Sequence, residues 1–183
     1  MAAGERGELM VRGHSTMLGY LGDPETTAAT IDPMGWLRTG DEGFFEDQGR
    51  DRVFFVTGRL KEIIIRDAEK YSPLRLERHL VERVPELSGK LVVLGFPHPE
   101  HGEEVGAYVE LDLLDDAVRA RLLAAIEAMP QPERPKVVLF GDAAIQRTHT
   151  GKIQRRKMQA WFAGYARHRG AIVVARVVPH PAT

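Results

Sequence analysis

Cysteine is absent from the chain. That excludes disulfides, thiolate zinc centres and cysteine nucleophiles, and it agrees with a reducing compartment. Long apolar runs are absent as well: nothing approaches the roughly 20 residues of a membrane-spanning helix, and the start MAAGERGELM lacks a signal-peptide core. Nor does one sign of charge prevail. With 25 basic and 26 acidic residues the formal net charge is −1, so no global field calls for nucleic acid or an anionic membrane as the main partner. Repeats and low-complexity segments are missing too. These absences point to a cytoplasmic protein, without a membrane span, whose electrostatic work is local.

What is present is a foldable composition. Apolar residues make up 43% of 183 positions, enough to bury a core in one ordinary domain or two small ones. The pattern changes character near residue 60. Before it, glycine-rich strand-like runs alternate with turns: GELMVRG, WLRTGDEGFF and RVFFVTGR, with a short polar helix at DPETTAATI. After it, strands and helices interleave. EIIIR leads to a helix opened by Ser72 and Pro73, in which Leu76, Leu80, Val81 and Val84 share a face. Strands follow at KLVVLGF and VGAYVELDLL. A second helix runs from about Asp115 to Met129, with Val118, Leu122, Ile126 and Met129 at helical spacing, and PQPERP stops it. A strand KVVLF, a polar loop and a last helix carrying Met158, Trp161, Phe162 and Tyr165 complete the interleaved part. The end, AIVVARVVPHPAT, reads as one more apolar strand and a Pro-containing tail.

The polar loop and the start of its helix read RTHTGKIQRRKM. A phosphate-binding loop needs a glycine five residues before the Gly-Lys pair and a hydroxyl residue after it. Gln146 and Ile153 occupy those positions. Lys152 is therefore either a cationic finger, placing an ammonium on charge that builds at a phosphate, or an ordinary solvated lysine. The segment QRRK reads as a solvated face. His98 and His101 in PHPEHGEE have no evident ligand cluster near them, so no metal site is expected in this chain. KIQRRKMQAWF could be read as a basic, aromatic nucleic-acid helix, but the net charge and the core-like spacing of the aromatics argue against it.

Four segments, in order and spacing, resemble the adenylate-forming superfamily, which includes acyl-CoA synthetases and other AMP-dependent ligases. GELMVRGHSTMLGYLGDPETTAATIDPMGWLRTGDEG resembles the end of the family's large N-terminal part. TGRLKEIII…YSPLRLE resembles the hinge that opens its small C-terminal domain, VLGFPHPEHGEEVGAYVEL the following strand pair, and RTHTGKIQRRKM the terminal lysine motif. The likeness covers about residues 5 to 165. It implies an α+β fold, a small mixed α/β C-terminal domain preceded by a β-rich subdomain remnant. The implied domains are 1–60, the β-rich end of the adenylation domain; 61–165, the C-terminal lid; and 166–183, a tail.

The resemblance also implies roles. Asp41 accepts hydrogen bonds from the ribose hydroxyls of ATP or AMP, and Arg59 lies near ribose and phosphate. Lys61 is the hinge. Lys152 is the adenylation lysine, drawing carboxylate and α-phosphate together, in a loop shaped by Thr148, Thr150 and Gly151. Ala68 and Glu69 belong to the segment past which a thiol travels. The implied function is the C-terminal portion of an ATP-dependent carboxylate ligase, using ATP with magnesium in the complete enzyme, a carboxylic acid, and CoA or an acyl carrier protein.

Two departures qualify it. Asp67 and Ala68 stand where the family usually has glycine, which leaves CoA, a carrier thiol or plain release of acyl-AMP open as the second step. The pyrophosphate loop, adenine segment and acyl pocket have no counterpart in these residues. The chain is therefore expected to need an upstream adenylation domain and not to form acyl-AMP alone. The alternative is a noncatalytic docking or regulatory module that retains the fold.

Overall fold

A computed structural model of the protein describes residues 2–110, 116–166 and 175–177, with backbone alone at 165–166 and 175–177. The chain divides into two compact units, Met1–Lys61 and Glu62–Thr183.

The first unit is an antiparallel sheet of β1 (Gly7–Val11), β2 (Leu37–Gln48) and β3 (Asp51–Arg59) in that order, with helix α1 (Pro24–Thr30) between β1 and β2. The side chain of Asp23 caps α1 by accepting from the Thr26 amide at 2.9 Å, and Pro24 supplies the first-turn residue that needs no donor. Cross-strand aromatic pairs hold β2 to β3: Phe44 stacks on Phe55 at 5.0 Å, and Phe45 meets Phe54 at 6.0 Å. A register shift falls between Glu42 and Gly43, and a Cβ at Gly43 would sit 2.5 Å from the Phe55 carbonyl. Glycine is required there by the close approach of backbone. Among the described apolar side chains of this unit only Phe45 is buried, whereas Leu18 is 102% exposed, Leu21 105% and Met34 71%.

The second unit is a mixed six-stranded sheet between helices. Its path runs β5 (Glu69–Tyr71), β4 (Ile64–Arg66), β7 (Gly102–Glu110), β8 (Val137–Gly141) and β9 (Ala175–Val177), with β6 (Leu91–His98) also paired to β7. The period-2 alternation divides the core cleanly. Val93, Val105, Ala107, Val109, Val138 and Phe140 face α2 (Pro73–Arg83) and α3 (Asp116–Glu127), meeting Leu76, Leu80, Leu122 and Ile126. Val92, Leu94, Tyr108, Val137 and Leu139 face α4 (Arg155–Ala166), meeting Met158 and Phe162. Each such side chain contributes about 1.5–3 kcal/mol on burial, so this unit carries a true core and the first does not.

The expected elements stand with shifted ends. Ser72 caps α2, accepting from the Arg75 amide at 3.3 Å. Ser72→Ala is expected to cost about 1 kcal/mol, read by denaturant unfolding. The strand expected over EIIIR begins only at Ile64, because Leu60–Glu62 forms one turn of 3-10 helix. Asp115 and residues 111–114 of the VGAYVELDLL strand lie outside the described residues, as does the 166–183 tail apart from Ala166 and β9. The side chain of Tyr165 is also outside them. Met158 and Phe162 are core residues, and Trp161 packs against them, so these aromatics are not a stacking surface for bases.

The partner of the EIIIR strand, β5, had no signal in the sequence. β4 and β5 form a hairpin whose two turn residues, Asp67 and Ala68, both have positive φ, 51° and 65°. The left-handed region costs alanine about 1–2 kcal/mol. Ala68→Gly is expected to stabilise the chain by about 0.5–1 kcal/mol, glycine's looser unfolded chain returning part of the gain. Thermal unfolding of the two proteins measures it.

Candidate functional site

Asp41, inside β2, and Arg59, the last residue of β3, are cross-strand neighbours. Arg59 Nε lies 3.0 Å from Asp41 Oδ1, with the aspartate side chain 27% exposed and the arginine 51%. At that exposure the pair contributes at most about 1 kcal/mol to folding, so its placement matters more for what the two groups present. The stretch of β2 before Asp41 is fastened to β1 where their register shifts. Thr39 Oγ1 donates to the Leu9 carbonyl at 2.6 Å, and the Gly40 amide donates to Glu8 Oε1 at 3.1 Å. Gly40 has φ 72°, a conformation only glycine adopts freely. Glu8, which also holds Arg38 at 3.0 Å, was invisible as a site residue because its partner lies 32 positions away.

Lys152 sits in a closed turn. The Gly151 amide donates to Thr148 O at 2.9 Å and the Thr148 amide to Lys152 O at 2.8 Å. Lys152's own amide donates to Thr148 Oγ1 at 3.1 Å, and that hydroxyl lies 2.8 Å from Thr150 Oγ1. Gly151 has φ 81°, which lets the chain reverse. Arg147 secures the outside, donating to Gly151 O at 3.0 Å and to Gly89 O at 2.8 Å. The turn is thus closed by its threonine hydroxyls and by Arg147, while the lysine ammonium is exposed and makes no ion pair or hydrogen bond among the described residues. Such a rigid base under a free cation suits an electrostatic finger. Arg147→Ala is expected to loosen the turn without unfolding the unit. Faster amide exchange at Gly151 and Lys152, with unchanged exchange in β6 and β7, is the measurable result.

Three residues beyond the lysine, the reading of QRRK as a solvated face needs correction. Arg156 and Lys157 are exposed, but the Arg155 side chain is only 12% exposed. Its guanidinium grips Glu77 at 2.6 and 2.7 Å and Glu62 at 2.7 Å. A long-range carboxylate pair removes the unfavourable cation from the start of α4, an arrangement no local pattern discloses. Burial pushes the Glu77 carboxyl above its ordinary range, opposed by the Arg155 charge and by the Val93 amide that donates to it.

Lys61 is exposed and is the last residue of the first unit. Ala68 and Glu69 are exposed at the β4–β5 turn. Asp67 beside them is held from the turn between β6 and β7: its amide donates to His101 O at 3.1 Å, and Oδ1 lies 2.8 Å from His101 Nδ1. His98 stacks on His101 at 4.7 Å. Among the described residues no group of three or more His, Cys, Asp or Glu could hold a metal ion.

No family model matches the chain. Individual relatives do. It is 36% identical over 159 residues to 4-coumarate–CoA ligase-like 6 of Oryza sativa subsp. japonica, covering 86% of this chain and 26% of that protein. It is 34% identical over 159 residues to sulfoacetate–CoA ligase of Cupriavidus necator, covering 85% and 30%. Among solved structures, the amide bond synthetase McbA from Marinactinospora thermotolerans superimposes with a TM-score of 0.73 at 34% identity, over 88% of this chain and 32% of that one. The anthranilate CoA ligase AuaEII in complex with anthranoyl-AMP shares the fold, with a TM-score of 0.74 at 23% identity. The chain spans less than a third of the length of the two curated relatives, at their C-terminal portion. By sequence and by fold it belongs to the adenylate-forming superfamily of acyl-CoA synthetases and AMP-dependent ligases, as the counterpart of their C-terminal portion.

Proposed function

We propose that this chain is the C-terminal portion of an ATP-dependent carboxylate ligase and supplies the lysine of its adenylation step. The observation that carries the reading is the free Lys152 ammonium on a turn closed by Thr148 and braced by Arg147. A carboxylate oxygen attacks the α-phosphorus of ATP, the bond to the bridging oxygen breaks, and pyrophosphate leaves with the electron pair. Lys152 stabilises the negative charge that gathers on the phosphoryl oxygens and the incoming carboxylate. Asp41 accepts from the ribose hydroxyls, and Arg59, which orients it, donates toward ribose and phosphate. The second unit then rotates about Lys61, and an acceptor displaces AMP from the acyl group.

The sparse core of the first unit supports a further part of the reading. One buried apolar side chain cannot offset the chain entropy of some sixty residues, and Leu18, Leu21 and Met34 lie bare. An upstream adenylation domain is the partner that covers such a surface. CoA, a carrier-protein thiol and an amine are the acceptors to compare, the last because the amide bond synthetase is 34% identical. The test mixes the chain with the upstream portion of the ligase from the same source. A panel of carboxylic acids is followed by AMP release with each acceptor. Acid-dependent acyl-AMP and acceptor-dependent AMP are the expected results; a mixture that associates yet forms no acyl-AMP supports a noncatalytic docking module instead.

A further inference from the structure

We propose that Arg155 is a positioning residue: it binds residue 62 to the body that carries the lysine turn, and so confines rotation to Lys61. The proposal rests on the reading of Lys61 as the pivot and Lys152 as the adenylation lysine. Its evidence is the geometry around one guanidinium. Nη1 donates to Glu62 Oε2 at 2.7 Å, Nη2 to both oxygens of Glu77 at 2.7 and 2.6 Å, and Nε to the Val93 carbonyl at 3.2 Å. All three nitrogens are therefore in use, with the arginine 12%, Glu77 10% and Glu62 22% exposed.

The two carboxylates do different work. Glu77 projects from α2 and also accepts from the Val93 amide at 2.8 Å, so its bonds join α2, β6 and α4 inside one unit. Glu62 is the first residue of that unit and ends the single 3-10 turn at its border. Fastened by a charge-assisted bond, residue 62 moves with α4. Torsional change is pushed back to Lys61, which is exposed and makes no side-chain ion pair or hydrogen bond among the described residues. The same arginine begins α4 three residues after Lys152, so border and lysine turn form one rigid piece. A lysine at 155 keeps the charge but not the fork that reaches Glu62 and Glu77 together.

Hydrogen exchange on the full chain, comparing wild type with Glu62→Gln, tests this. The amides of residues 62–65 are expected to exchange at least about tenfold faster, the loss of one charge-assisted bond, while those of β6 to β8 are unchanged. Arg155→Lys, which also loses the grip on Glu77 and the Val93 carbonyl, is expected to open the same residues and β6 besides, so locality is judged on Glu62→Gln. Unchanged exchange at 62–65 overturns the proposal, and so does faster exchange spread through β6 to β8 with a lowered melting temperature, the mark of a merely structural bond. Exchange is read without nucleotide or acid, so an inactive ligase mixture refutes the proposed function and leaves this result standing, and the reverse holds equally.

Discussion

Replacing Lys152 with alanine is expected to slow acyl-AMP formation by about 10²–10³-fold in the completed ligase, the range for removing one preorganised group from a developing anion. Thioester or amide formation from supplied acyl-AMP should fall far less, because the lysine acts where the carboxylate meets the α-phosphate. The asymmetry follows from the turn. Lys152 contributes its backbone to the closure on Thr148, which alanine keeps, and its side chain alone is free. Folding is therefore expected to change by no more than about 0.5 kcal/mol, as for other exposed substitutions. Lys152→Arg keeps a cation with a wider, planar head and should recover only part of the rate. Pyrophosphate exchange measures the first half-reaction, and AMP release from acyl-AMP the second. Equal losses in both would mean that the lysine shapes the turn and does not act on the phosphate.

Phe162→Ala is expected to destabilise the second unit by about 3–5 kcal/mol. The ring is fully buried, lies 5.5 Å from Phe96, and occupies the space that Gly106 leaves open on β7. A Cβ at position 106 would sit 2.5 Å from two carbons of that ring. Gly106→Ala alone is expected to cost about 1–3 kcal/mol by overpacking. The two changes are in contact and should not add: with the ring gone, the methyl fills part of the cavity, and the double variant should be more stable than the sum predicts. Urea unfolding of the four proteins checks it. Strict additivity would show that α4 does not rest on β7 through this pair.

How much of this was legible beforehand depended on the range of the interaction. The strands at KLVVLGF and KVVLF were readable as continuous apolar runs, and one face of α2 from the helical spacing of Leu76, Leu80 and Val84, because both are properties of neighbouring residues; which strand residues face which helices was not. Lys152 and Asp41 stood out through glycine-bearing motifs. Their supports did not. The contact of Arg59 with Asp41 needs a register that shifts between Glu42 and Gly43, and no local pattern encodes that shift. Arg155 looked like one cation among three, since its burial depends on Glu62 and Glu77, 93 and 78 residues away. The pairing of the EIIIR strand with β5 escaped notice for a different reason. Its strands are three residues each, and the turn uses Asp67 and Ala68 where a left-handed pair normally announces itself with asparagine and glycine.

The central claim is that this chain is a ligase portion which supplies the adenylation lysine and works only beside the domain that cradles ATP. ATP–pyrophosphate exchange, measured with the acid panel on the chain alone and on the chain with its upstream portion, tests it most directly. Exchange in the mixture only, lost again when the added chain carries Lys152→Ala, is the predicted result. Exchange by the chain alone, or exchange in the mixture that survives Lys152→Ala, would contradict it.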